Sequence, residues 1–360
     1  MKIKRSQLQE GCILEKDIML LGHYPLLKEN TVIDKQWLEI IDAFLIDDLE
    51  VEDKLVTGEK FVVRAIPKAE DEDREIISTE KAFINFYLDA VQEYKKHFDL
   101  WKAGYHVSIT DMQQILYPLI GKVINEPKYL LHFHFFGTKE DYLAHHAISV
   151  GVLSAYIAKK LNLSKKEWSQ VGMAGVLADC GMAKLSPTLL QKTSELTSGE
   201  YELIKKHPVH GYKMLKESGG IAPEILLAVL QHHEREDGSG YPLSAPANKI
   251  HVFSQIIAVC DVYHALISDK VYKSKITPYE ALEVLKNEEF GKFQLSVVKT
   301  LTETIMNFAI GSKVRLSNGQ KAEIIFVDEN HLSKPMVKDT ETGDIINLKE
   351  KREITISHIL

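Results

Sequence analysis

The sequence predicts a multidomain chain: a mainly all-α domain flanked by a small N-terminal β-rich module and a small C-terminal β-barrel-like module. Three observations predict it. Helix starts in the middle of the chain are written in capping-box form, a Ser or Thr followed three residues later by an acid. Residues 311–360 alternate apolar and polar positions around Asn318-Gly319, a strong hairpin signal. Residues 1–66 read mostly as short strands and turns.

In order, residues 1–66 form the N-terminal mixed β module, with one helical piece from Lys35 to Phe44 and Val62-Val63-Arg64-Ala65-Ile66 as a closing strand. Residues 67–77, dense in acids, read as a linker. Residues 78–124 read as a helical connector in which Phe83, Tyr87, Val91, Tyr94 and Phe98 recur at helical spacing. Such a surface packs within the chain or between two copies, the second case making a homodimer. Residues 125–310 read as one all-α domain with capping signals at Thr138/Asp141, Ser164/Glu167, Thr197/Glu200 and Thr277/Glu280, the last with Pro278 at the favoured first helical position. Residues 311–360 are the small β module.

Composition bounds the function. With 44 Lys+Arg against 51 Asp+Glu the net charge is -7, which argues against a general DNA, RNA or anionic-membrane binder. A small phosphate ligand in a local basic pocket is compatible with it. No run approaches the ~18 apolar residues of a membrane span, and Glu15, Lys16 and Asp17 interrupt any signal-like apolar core. Cys12, Cys180 and Cys260 are odd in number and widely spaced, so a reducing, cytoplasmic setting is expected. Of 15 histidines, ten fall between His132 and His264, which points to a site in the middle.

His146 shares a helix face with Leu143, Val150, Leu153 and Ile157, and so points inward. Asp179 ends the next helix on the face of Trp168, Gly172 and Gly175. His207 precedes Pro208 at a helix junction, His232 and His233 close a helix carrying Ile225 and Val229, and Asp261 shares a mostly apolar face with Ile257 and His264. One inward His more often bonds a core carbonyl, and one inward Asp more often caps a helix. Four His and two Asp, each inward or at a helix end, are hard to satisfy without a shared cation.

The run His232-His233-Glu234-Arg235-x-Asp237-Gly238-x-Gly240-Tyr241-Pro242 resembles the signature of the HD-GYP family, a branch of the HD-domain metal-dependent phosphohydrolases. His146, His207-Pro208-x-x-Gly211, Asp261-Val262-Tyr263-x-Ala265-Leu266 and Ser268-Asp269-Lys270-Val271-Tyr272-Lys273 match in order, over about residues 135–300. The resemblance implies an all-helical HD-type fold, a divalent metal centre usually of iron or manganese, and hydrolysis of cyclic di-GMP to linear pGpG or GMP. It carries the ligand role to His146, Asp179, His207, His232, His233 and Asp261, with Asp179 as the bridge. It carries substrate contacts to Arg235, Gly240, Tyr241 and Pro242, and to Lys270 and Lys273, which stand where the family usually has phosphate-contacting arginines. The partner implied is cyclic di-GMP or a related nucleotide.

The chain departs from the pattern at its name-giving pair. Ala178 stands where the family has the first His of His-Asp, and Met182 where it has a Lys three residues after the Asp. Tyr142 replaces the carboxylate of a third metal. One or two ions are therefore expected, one on Asp179, His207, His232 and His233, the other on His146, Asp179 and Asp261. His264 and Cys180 are candidate replacement ligands, against the plainer readings of a surface His and a buried thiol. Three functions follow, in this order: phosphodiesterase activity on cyclic di-GMP with a weakened metal centre, an inactive signalling module that binds ligand or partner proteins without turnover, or an HD-type hydrolase acting on another nucleotide or phosphate ester.

Overall fold

The computed structural model describes residues 1–19, 25–35, 37–38, 41, 46, 48–62, 72–133, 141–269, 275–288, 291–328, 330–351 and 353–359. They divide into two units, Met1–Glu93 and Tyr94–Leu360.

In the first unit β1 (Lys2–Lys4) pairs antiparallel with β4 (Asp48–Glu50), and β2 (Ile18–Met19) with β3 (Pro25–Leu27). Ile3 faces Leu49 across the first pair, and both are buried. On the other face Lys4 Nζ meets Asp48 at 2.8 Å, an exposed ion pair of small energetic weight. Of the helical piece expected at 35–44, Lys35, Trp37, Leu38 and Ile41 are helical, and its other positions lie outside the described residues, as do Val63–Ile66 of the closing strand and residues 67–71. Helix α1 (Glu72–Lys102) carries the aromatic row. Phe83, Tyr87, Val91 and Tyr94 are buried in the single chain, and Trp101 sits edge-on to Tyr94 at 5.5 Å.

The second unit is mainly helical: α2 (Ile109–Asn125), α3 (Tyr142–Lys160), α4 (Lys165–Leu177), α5 (Ser198–Ile204), α6 (His207–Ser218), α7 (Pro223–Gln231), α8 (Val252–Leu266), α9 (Pro278–Glu283) and α10 (Leu295–Ala309). The central element is α3, on which α2, α4, α8 and α10 pack. Its sequence suggested one inward stripe, yet every residue from Ala144 to Ala158 is buried. Small residues allow this: α4 approaches so closely that a Cβ on Gly172 would lie 2.9 Å from the Cβ of Ala155. Three expected capping boxes are formed, at Ser164/Glu167, Thr197/Glu200 and Thr277/Glu280, with Pro278 in the first helical turn. Thr138 of the fourth lies outside the described residues, and Asp141 bonds Lys95 Nζ at 2.6 Å instead of capping α3 with its side chain. No helix among the described residues is long and apolar enough to cross a membrane.

The C-terminal β module requires a correction. The Asn318-Gly319 turn joins β5 (Lys313–Leu316) to β6 (Lys321–Phe326) as expected. With β7 (Met336–Asp339), β8 (Ile345–Asn347) and β9 (Ile356–Ile359) these form an open antiparallel sheet in the order β8-β7-β6-β5-β9, not a barrel. Closure needs the edge strands to pair with a consistent stagger. Here β8, three residues long, and β9 are the two edges and do not pair with each other among the described residues. Val314, Leu316, Ala322, Ile324 and Val337 form the buried face.

Candidate metal centre

Five helix-associated segments deliver the six expected ligands. His146 lies one turn into α3, and Asp261 lies within α8. Asp179 follows the C-cap of α4 and opens a short 3-10 turn, Cys180–Lys184. His207 is the first residue of α6, His232 caps the C-terminus of α7, and His233 follows it. The 3-10 turn reaches α6 only because residue 181 is glycine: a Cβ there would lie 2.0 Å from the His207 carbonyl oxygen and 2.4 Å from Gly211 N. This approach sets Asp179 against His207.

The six side chains form two groups that share Asp179, each with one ligand atom per residue and all of these within 4.8 Å of one another: Asp179, His207, His232 and His233, and His146, Asp179 and Asp261. Asp179 Oδ1 lies 3.1 Å from His207 Nε2 and 3.8 Å from His232 Nε2, while its Oδ2 lies 3.8 Å from His146 Nε2. His146 Nε2 is also 2.7 Å from Asp261 Oδ1, and His233 Nδ1 is 3.9 Å from Asp261 Oδ2.

The hydrogen-bond count tests whether a cation fits. His207 Nδ1 donates to the Ile204 carbonyl at 2.7 Å and His232 Nδ1 to the Val229 carbonyl at 2.8 Å. In the neutral rings this leaves a lone pair on each Nε2, and the two Nε2 atoms face each other at 3.1 Å beside a carboxylate oxygen. Three electron-pair donors converging in a buried place are reconciled by one cation. The donors are imidazole and carboxylate without thiolate, a set suited to iron, manganese or zinc. When bound, one or two such ions would supply Lewis-acid activation of water and neutralisation of phosphoryl charge.

The electrostatics favour the ligand forms. Burial lowers His232 to about 4 and, with the neighbouring His232 and His207, holds His233 well below the ordinary imidazole value. Burial alone would raise the carboxyls of Asp179 and Asp261. Contact with the rings of His207 and His146 respectively, with the surrounding charges, outweighs it and holds both below the usual carboxylate range.

The loop after the paired histidines is built tightly onto them. Gly240 leaves no room for a side chain, since a Cβ would lie 2.4 Å from Arg235 N and 2.5 Å from the His233 carbonyl oxygen. The Tyr241 ring stacks on His233 with centroids 4.6 Å apart, and Pro242 follows through a cis peptide. Arg235 donates to the Glu234 carbonyl at 2.9 Å and lies over the Phe293 ring at 4.7 Å. Lys270 and Lys273 lie outside the described residues.

Four features escaped the sequence reading. Glu234 is buried, and its two carboxylate oxygens accept from Leu243 N at 2.6 Å and Ala245 N at 2.8 Å, tying the loop down. Lys205 holds its ammonium over the rings of Tyr201 and Tyr241, at 4.9 and 5.7 Å, placing a cation beside the loop. His264 is neither a surface residue nor a member of either ligand group; it is buried with its Nδ1 3.0 Å from His146 Nδ1. Tyr142 stacks on His146 from the same helix. Only the i, i+4 spacings of Tyr142 with His146 and of Tyr201 with Lys205 signalled any of these contacts. Cys180 stands outside both groups, a buried thiol raised by desolvation. Ala178 is buried and offers no donor, and Met182 is half-buried.

Comparison with known proteins agrees with this geometry. Residues 134–293 match the HD domain family. A cyclic di-GMP phosphodiesterase of Pseudomonas aeruginosa is 28% identical over 237 residues, 66% of this chain and 57% of that protein. A cyclic di-GMP phosphodiesterase response regulator of Xanthomonas campestris pv. campestris is 37% identical over 134 residues, 37% of this chain and 35% of that one. A 3'3'-cGAMP-specific phosphodiesterase of Vibrio cholerae is 29% identical over 150 residues, 42% and 35% of the two chains. The chain thus spans less than two thirds of these relatives' length. Among solved structures, an HDG"Y"P protein from Bdellovibrio bacteriovorus shares the fold, with TM-score 0.52 and 14% identity over 85% of this chain and 99% of that one. The chain has an HD-type, HD-GYP-like fold with a degenerate metal-binding cluster. It is related to known cyclic di-GMP phosphodiesterases.

Proposed function

We propose that the protein hydrolyses cyclic di-GMP to linear pGpG or GMP at a centre of one or two divalent ions, iron or manganese, weakened at its three-ligand position. The observation that carries this reading is the Asp179 carboxylate shared by two ligand groups beside the loop that stacks Tyr241 on His233. In this reading His207, His232, His233 and Asp179 hold the first ion, and His146, Asp179 and Asp261 the second. Tyr241, Arg235 and the Gly240-Tyr241-Pro242 backbone border the dinucleotide. Three buried free thiols support a reducing, cytoplasmic setting.

Ala178 and Met182 favour a second reading, in which the nucleotide binds without turnover. The two separate in one assay. Anaerobically purified protein is given Mn2+ or Fe2+ with cyclic di-GMP and, in parallel, 3'3'-cGAMP, and the products are resolved by chromatography. Linear dinucleotide or GMP, abolished by His233→Ala, supports hydrolysis; saturable binding with no product over hours supports the second reading.

A further inference from the structure

The ligand histidines are oriented by different means. His207 and His232 sit at helix ends, where each Nδ1 reaches the carbonyl three residues earlier. A carbonyl only accepts, so these rings are held with Nε2 free to ligate. His146 lies inside α3, where the carbonyls are taken by the helical ladder. Its Nδ1 faces side chains instead: His264 Nδ1 at 3.0 Å and Tyr142 Oη at 3.3 Å. His264 is 1% exposed, and Ser268 Oγ lies 3.3 Å from its Nδ1. The His146 ring is flanked by the rings of Tyr142 and His264, with centroids 5.2 and 5.1 Å away.

We propose that His264 is a positioning residue for His146: its Nδ1 accepts the Nδ1–H of His146 and so turns Nε2, as an electron-pair donor, toward Asp261 and Asp179. The inference rests on the reading of His146 as a ligand, and not on turnover. A hydrogen-bond partner of this kind fixes the tautomer of a ligand imidazole and raises its basicity. The contribution is largest where ligands are few, and the group containing His146 has three against the other group's four.

Mn2+ titration into the metal-free full chain, followed by calorimetry, tests it. The wild-type chain is expected to take up two ions in a tighter and a weaker class. His264→Leu weakens the weaker class by about 10- to 100-fold and leaves the tighter one within about threefold. His264→Asn, whose amide oxygen reaches the position of Nδ1, restores it. Ser268→Ala leaves His264 in place but frees its ring, giving a smaller loss in the same class. That variant keeps the test decisive if near-ultraviolet circular dichroism shows the leucine variant unfolded. An unchanged weaker class in the leucine variant, an equal fall of both classes, or failure of Asn to restore binding overturns the proposal. A wild-type chain with no second class overturns it together with the two-ion reading. Hydrolysis is not read here, so a failed phosphodiesterase assay and a failed positioning test remain separate results.

Discussion

His207 Nε2 faces His232 Nε2 at 3.1 Å, and both rings commit their Nδ1–H to main-chain carbonyls. Two acceptor nitrogens this close, with Asp179 Oδ1 3.1 Å from one of them, form a place prepared for a positive charge. The relationship depends on helix ends: a His at the first position of α6 and another at the cap of α7 can bend back onto their own backbone, which a mid-helix His cannot.

The approach of the 3-10 turn to α6 is the weakest mechanical point of the site. Gly181→Ala drives a Cβ into the His207 carbonyl oxygen and Gly211 N, so the backbone must separate. The expected cost is about 1–3 kcal/mol of stability from overpacking, with Asp179 withdrawn from His207. Chemical denaturation gives the first effect and Mn2+ affinity the second, and a variant unchanged in both would contradict the geometry.

Restoring the missing ligand should strengthen the three-ligand group. Ala178→His returns an imidazole next to Asp179, and a tighter second class of Mn2+ binding, by about tenfold on the scale of single supporting interactions at metal sites, is the expected outcome. Ala178 is buried, so the thermal midpoint of the metal-free variant is measured alongside to separate crowding from ligation.

Glu234→Gln tests the loop clamp. The carboxylate receives Leu243 N and Ala245 N, and hydrogen bonds to a charged acceptor contribute about 1.5–3 kcal/mol each. An amide keeps one acceptor and turns an NH2 toward the other backbone N–H. A fall in stability of about 1–3 kcal/mol is expected, with faster hydrogen exchange at Leu243 and Ala245 than at the helix interiors. Unchanged exchange at those two amides would show that the clamp does not hold the loop.

Acid should weaken the metal-free fold early. Burial, joined by Lys95 near His145 and by His207 near His232, depresses both imidazoles from 6.5 to about 4. The unfolded chain therefore binds protons first, and stability rises with pH in this window. The contribution is complete above 6.5 and is lost as pH falls toward 4. Asp179 and Asp261, held below the ordinary carboxylate value, extend the loss into stronger acid. Urea midpoints at pH 7, 5.5 and 4.5 should decline in that order at constant slope; a flat series would mean that these histidines are not buried in the neutral form.

The clustering of His207, His232, His233 and Asp179 was legible because each sits beside a local signal: Pro208 after His207, paired histidines before a Gly-rich loop, an acid at a helix end; His146 and Asp261 were marked only by their inward helix faces. The capping boxes were legible for the same reason, since each is closed within four residues. What lay hidden is made by distant segments. The His146–His264 contact joins positions 118 apart, and no local period marks it. The all-round burial of α3 from Ala144 to Ala158 was hidden too, because the stripe at Leu143, Val150, Leu153 and Ile157 marks one face while small residues admit neighbours on the others. The barrel-like expectation failed because alternation specifies a half-buried strand and says nothing about whether the two edges meet.

The most direct test of the central claim is turnover of cyclic di-GMP by chelator-stripped protein as Mn2+ is returned stoichiometrically, for wild type and Asp179→Asn. No product is expected without metal, activity should climb with ions bound per wild-type chain, and the asparagine variant should lose both bound ions and product. Hydrolysis by the stripped protein, or full metal content and activity in Asp179→Asn, would contradict it.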